Sequence, residues 1–149
     1  MERISVEEHR LGIACNSKGF NQDFDKLTFS VIIDHTKNSF LFIGFTYSEE
    51  SECQGGFYKD QSSFMLSLVH GKFYNCAKSS PSVKKGFAGA KNGEKYTVIL
   101  DIDQKTIEFK LNDLSFGEPK EIELEENDIK LLCPCMDISN RGDKISIVE

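Results

Sequence analysis

The chain has 149 residues, of which 39% are hydrophobic and 28% charged, and its 18 Lys and Arg stand against 24 Asp and Glu for a formal charge of −6. A globular chain of this length buries roughly 70% of the surface its unfolded form exposes, so a core can form without disulfides or a metal. Neither a disordered tail nor a membrane protein has this composition, and the acidic balance, with no basic stripe interleaved with aromatics, argues against nucleic acid as the principal partner.

The first residues, Met1 to Glu8, carry no apolar run behind a basic stretch, and no window of the sequence approaches the run of apolar residues a membrane span requires. A cytosolic or nuclear protein with no membrane partner is expected. Leu27–Ile33 alternates apolar and polar residues, and it and Phe40–Thr46 are crowded with Phe, Ile and Val, which marks two core strands. The polar Asp34–Ser39 between them reads as a hairpin connection rather than a crossover helix. Phe64–Val69, the turn His70-Gly71-Lys72 and Phe73-Tyr74 form a second strand, turn and strand, so the pattern is a meander.

Ser79–Gly86 and the glycine-containing Phe87–Gly93 make the longest irregular region expected. Tyr96–Ile102 and Thr106–Leu111 are two strands of matched length joined by Asp103-Gln104-Lys105, and Asn112-Asp113 opens the next turn. The acidic run from Glu121 to Asp128 reads as a solvated loop or edge strand. Leu131–Ile138, a loop Ser139–Asp143 and Lys144–Val148 complete an all-β pattern without repeats or linkers. One domain spanning residues 1–149 is expected, a sandwich or barrel with no second module.

Five cysteines, Cys15, Cys53, Cys76, Cys133 and Cys135, do not have the spacing of a zinc ribbon or a secreted disulfide scaffold, and His9, His35 and His70 lack ligand spacing. Reduced thiols and no metal or cofactor are expected. Cys133 and Cys135, two apart on a strand, are expected to face the core. No Gly-x-Ser-x-Gly elbow is present, Gly89–Lys95 lacks the Gly-Lys-Ser/Thr ending of a phosphate loop, and no carboxylate pair stands in a recognisable motif. The chain is expected not to be an enzyme. Arg141-Gly142-Asp143 spells an integrin-type tripeptide and is read as a turn.

Three of these segments together resemble the SPRY domain family. Gly93-Glu94, followed by Tyr96–Asp101 and then Ile107–Asp113, is similar to the family's Gly-acidic pair, its strand ending Leu-Asp and its partner strand ending Leu-Asn-Gly. Leu131–Met136 resembles the Leu-Tyr-Pro strand, Gly142–Ile147 the last strand, and Phe29–Ile32 and Ile43–Thr46 the Phe-Glu-Val and Ile-Gly-Val strands. The likeness runs from about Arg10 to Val148. Phe64 stands where the family has tryptophan and Asp113 replaces the glycine after Asn112, and a bare SPRY domain without the preceding PRY segment is expected.

The resemblance implies a two-sheet antiparallel β-sandwich of concanavalin-like jelly-roll type that binds a short peptide or protein epitope through loops at one edge, as an adaptor, scaffold or ubiquitin-ligase substrate receptor. Carried onto this sequence, the contacting loops supply Asn16, Ser17 and Lys18; Gln54, Phe57 and Tyr58; and Ser139, Asn140 and Arg141. Arg141 and Tyr58 are alternatively a turn residue and a ring half-buried under its own loop. Cys15, Ser17 and Cys53 stand where the family's Asn-rich-peptide binders have arginine, proline and tyrosine, so that peptide motif is not an expected ligand. A glycan-binding, lectin-like sandwich or a β-sandwich hydrolase are the alternative functions, and long edge strands leave self-association open.

Overall fold

A computed structural model describes residues 2–5, 11–14, 21–23, 26–37, 41–46, 63–76, 78–124, 132–138 and 142–148. The described residues form strands and turns with no helix, arranged as two antiparallel sheets. Sheet A contains β1 (Glu2–Ser5), β3 (Asn21–Asp23), β4 (Lys26–His35), β9 (Lys95–Asp101), β10 (Thr106–Leu111), β11 (Leu114–Ser115), β12 (Lys120–Glu121) and β14 (Lys144–Val148). Sheet B runs β2 (Leu11–Ala14), β13 (Cys133–Ile138), β5 (Leu41–Thr46), β6 (Ser63–Ser67), β7 (Lys72–Asn75), β8 (Lys78–Ser82) in spatial order.

The alternation read from the sequence sets the core. Leu27, Phe29, Val31 and Ile33 of β4 point inward with Val98 and Leu100 of β9, Ile107 and Phe109 of β10, and Ile145 and Ile147 of β14. Sheet B answers with Ile43 and Phe45, Phe64 and Leu66, and Met136 and Ile138. Aromatic rings join the layers: Phe29 meets Phe45 edge-on at 5.3 Å between centroids, and Phe73 lies 5.9 Å from Phe109. Phe64, at the family's tryptophan position, is fully buried in this core.

Three expectations need correction. Residues 36–40 do not close a hairpin: β4 lies in sheet A and β5 in sheet B, so the chain crosses between layers there. A polar connection of this length serves either purpose, and only the partners of β4 (β3, β9 and β14) and of β5 (β6 and β13) decide between them.

Second, Lys78–Ser82, inside the region read as loop, is an edge strand on β7. It contains Pro81 and has no apolar alternation, so it is held by backbone pairing and by the Ser80 hydroxyl, which accepts from the Phe73 amide at 3.1 Å, and an edge is where a strand tolerates proline. Third, Cys135 is buried but on the outward face of sheet B, because Leu132, Met136 and Ile138 occupy the inward positions of that strand. The side chain of Cys133 lies outside the described residues.

Strands β5 and β6 are buried on both faces. Their outward row, with Cys135 and Asp137 of β13, consists of Phe42, Gly44, Thr46, Ser63, Met65 and Ser67, and all are buried. At its centre β5 and β6 come so close that a Cβ on Gly44 would lie 2.8 Å from the Phe64 carbonyl carbon and 2.9 Å from the Met65 Cα. Glycine is there for close approach.

Candidate functional site

The sandwich has two ends, and the strands decide which loop leaves from which. Ala14 pairs with Cys135 and Thr46 with Cys133, so residues 15–20 and 47–62 are carried at the end where β13 begins. Ile138 pairs with Leu41 and Leu11, and residues 139–141 therefore leave from the opposite end. The expected site residues Asn16, Ser17, Lys18, Gln54, Phe57, Tyr58, Ser139, Asn140 and Arg141 all lie outside the described residues. Their strand anchors distribute them over both ends.

The end where β13 finishes is held by a set of backbone and side-chain bonds. His35, last in β4, pairs with Lys144, first in β14. The Lys37 amide donates to Asp143 Oδ1 at 2.9 Å, and the Thr36 amide to Asn92 Oδ1 at 3.0 Å. Ile33 exchanges backbone bonds with the Gly93-Glu94 pair, accepting from Gly93 at 2.6 Å and donating to Glu94 at 2.9 Å. Gly93 adopts φ +88°, a left-handed backbone that suits glycine. The Ala90 amide donates to Leu68 O at 2.7 Å and the Val83 amide to Gly71 O at 2.8 Å, which binds residues 83–94 to the β6–β7 turn. Links from both sheets are thus tied together here.

These bonds give the signature residues structural roles. Glu94 accepts from the Lys91 amide and from the Tyr96 hydroxyl, the latter at 3.3 Å. Burial, with the Glu94 carboxylate beside it, pushes the Tyr96 phenol far above its ordinary range, so it stays a proton donor. Asn112 and Asp113, both with positive φ, form the two-residue turn between β10 and β11. Asn112 Oδ1 accepts from the Lys95 amide at 2.9 Å and Asp113 pairs with Lys95 Nζ at 2.9 Å, so aspartate is accommodated where the family has glycine.

The opposite end is closed by the bond of Asn75 Nδ2 to Glu121 O at 3.4 Å, between sheets B and A, and by the Lys26–Asp101 ion pair at 3.9 Å. Asp101 also caps its own turn, accepting from the Gln104 amide at 2.8 Å.

The outward face of sheet A is a layer of short polar and branched side chains. Ser30 and Thr97 share a hydrogen bond of 2.7 Å, Ser146 donates to Asp34, and Thr28, Ile32, Ile99 and Glu108 fill the surrounding positions. None of its described positions is aromatic, so it lacks the ring platform on which a sugar stacks. Among the described residues no group of three or more His, Cys, Asp or Glu gathers to hold a metal, and no helix is long and apolar enough to cross a membrane.

No protein-family model and no curated protein sequence matches the chain. Solved structures do. The SPRY domain of human HERC1 superposes with a TM-score of 0.62 at 18% identity, over 96% of this chain and 84% of that one. A second human SPRY domain gives 0.60 at 16% identity, over 87% of this chain and 94% of the other. The two antiparallel sheets, the Gly93-Glu94 bracket and the Asn112-Asp113 turn lie in the order the sequence resemblance requires, and the chain has the fold of a SPRY domain.

Proposed function

We propose that this chain is a non-catalytic protein-interaction module, engaging a protein or short peptide through the loops carried at the ends of the sandwich. The observation that carries the reading is the division of the molecule into a core closed by cross-sheet aromatics and connecting segments that leave from fixed strand ends. Loops on such a scaffold bind with little ordering cost, which is how a rigid fold acquires specificity. The SPRY folds it matches support the same class of function.

On this reading the domain serves as an adaptor, a scaffold or a substrate receptor inside a larger assembly, and works in the cytosol or nucleus with its thiols reduced. The glycan alternative is disfavoured by the outward face of sheet A, where the Ser30 and Thr97 hydroxyls bond each other, the Ser146 hydroxyl bonds the Asp34 carboxylate, and no described position carries an aromatic ring.

The test is a proteomic pull-down with the wild-type chain and a Tyr58→Ala, Asn140→Ala, Arg141→Ala variant, both first shown to be folded by circular dichroism. Partners lost only from the variant support the reading. Identical partner lists place the binding surface elsewhere on the sandwich, and a wild type that captures nothing specific overturns it in favour of a glycan or a substrate.

A further inference from the structure

Asn92 and Gly93 form the centre of a turn at the end where β13 finishes. Of the asparagines in the chain, Asn92 alone is followed by glycine. Lys91, Asn92 and Gly93 are all exposed. The Glu94 amide donates to Lys91 O at 3.2 Å, and the Glu94 carboxylate accepts from the Lys91 amide. Gly93, third in the turn, has φ +88° whereas Asn92 does not take a positive φ, the pattern of a type II turn. A Cβ built on Gly93 meets nothing within 4 Å, so the space beside it is open to water.

An asparagine before glycine carries its own electrophile and nucleophile. The side-chain amide carbon of residue 92 is one ring closure away from the main-chain nitrogen of residue 93, and glycine has no Cβ to crowd the approach. Here the Thr36 amide donates to Asn92 Oδ1 at 3.0 Å and so draws electron density from that amide carbon. The nucleophile is the restrained partner. Gly93 N–H donates to Ile33 O at 2.6 Å, which holds its proton and fixes the nitrogen against β4.

We propose that Asn92 is a self-modification site whose reaction is gated by the Gly93–Ile33 bond. When the turn opens, the Gly93 nitrogen loses its proton and bonds to Asn92 Cγ; the Cγ–Nδ2 bond breaks, and ammonia leaves with that proton. Water then adds to either carbonyl of the five-membered imide and breaks its bond to nitrogen. Opening at Cγ gives aspartate, which still offers an oxygen to the Thr36 amide. Opening at the main-chain carbonyl of residue 92 gives isoaspartate, whose backbone runs through Cβ and Cγ and is longer by one carbon. That extra atom displaces Gly93 from Ile33 and breaks the bracket between this turn and the end of β4. The reaction consumes only water, so it does not rest on the protein-interaction reading.

The experiment is prolonged incubation of the full chain in mildly alkaline buffer, folded and in guanidinium chloride, followed by peptide mapping with mass spectrometry that separates aspartate from isoaspartate at residue 92. In denaturant Asn92 is expected to react ahead of every other asparagine. In the folded chain the same conversion is expected at least ~10-fold more slowly, because the bonds of the turn must break first. Hydrogen exchange on the aged folded chain, read on the separated fragments, should show the Gly93 amide protected beside aspartate and exchanging at least ~10-fold faster beside isoaspartate. Asn92→Asp is the control that adds the charge without lengthening the backbone, and it should keep the Gly93 protection.

Equal rates in the folded and denatured chains overturn the inference, because the Gly93–Ile33 bond is then no gate. So does another asparagine leading in denaturant, or a folded chain in which residue 92 never converts. Isoaspartate at residue 92 with wild-type protection at Gly93 overturns it as well, since the bracket then survives the longer backbone. Loss of that protection in Asn92→Asp does the same, because the added charge and not the backbone is then responsible.

Discussion

Replacing Gly44 by alanine puts a methyl group into the backbone of the neighbouring strand. The added Cβ would lie 2.8 Å from the Phe64 carbonyl carbon and 2.9 Å from the Met65 Cα, with the Phe64 carbonyl oxygen closer still. Carbon atoms rest at about 3.5–4.0 Å, so β5 and β6 would have to part by roughly 1 Å or more along their shared ladder. No side chain can swing away, since every atom struck is main chain.

Overpacking a core side chain costs about 1–3 kcal/mol. Here the displaced backbone also carries Phe45 and Phe64, both fully buried, so the expected loss exceeds ~3 kcal/mol, a large share of the 5–15 kcal/mol that holds a typical domain folded. Urea unfolding followed by far-UV circular dichroism measures it: the midpoint should fall by about 1–2 M or more, or the variant should fail to fold. A Gly44→Ala protein with the wild-type midpoint would refute the close pairing of these strands and with it the packing of sheet B.

Smaller effects follow from the signature residues. Asn112→Ala removes the acceptor for the Lys95 amide and forces alanine into a left-handed backbone, and should cost about 1–2 kcal/mol in the same urea assay. Asp143→Ala removes the acceptor of the Lys37 amide but also a buried carboxylate oxygen that has no partner, and because Lys37 is exposed it should cost no more than about 1 kcal/mol, read in the same way. Tyr96→Phe loses the bond to Glu94 at a cost of about 0.5–1.5 kcal/mol near neutral pH. Because the folded phenol binds its proton more tightly than the unfolded one, the wild type should lose stability as the pH rises above about 10, and Tyr96→Phe should lose less over that range; thermal melts across alkaline pH compare the two.

What could be read in the sequence was whatever a local pattern enforces. The alternation in Leu27–Ile33 placed β4 and its core face, and Tyr96–Asp113 carried two strands and both turns in residue types that those turns demand. Strands with little pattern of their own escaped. Lys78–Ser82 is held by backbone pairing and one serine hydroxyl, with no apolar alternation to announce a strand, and the crossing at residues 36–40 depends on which strands β4 and β5 meet far along the chain. In β5 and β6 alternation is blurred because both faces are buried, so Thr46, Ser63 and Ser67 sit in the interior without an inward signal. Cys135 was assigned to the wrong face for a related reason: two residues apart fixes a shared side but not which one, and Met136 and Ile138 took the core. The bracket at the end where β13 finishes was invisible because Ile33, Lys37, Asn92 and Asp143 are scattered through the sequence and come together only through the sheet register and loop bonds.

The most direct test of the central claim, that the ends of the sandwich and not its faces bind protein, is amide chemical-shift mapping of the labelled chain titrated with a partner segment recovered in the pull-down. The account predicts shifts concentrated at strand ends, around Ala14, Thr46 and Ser63 or around Lys37, Asn92 and Lys144, and quiet amides across Ser30, Thr97 and Ser146. Shifts centred on those last three residues, on the outward face of sheet A, would contradict it.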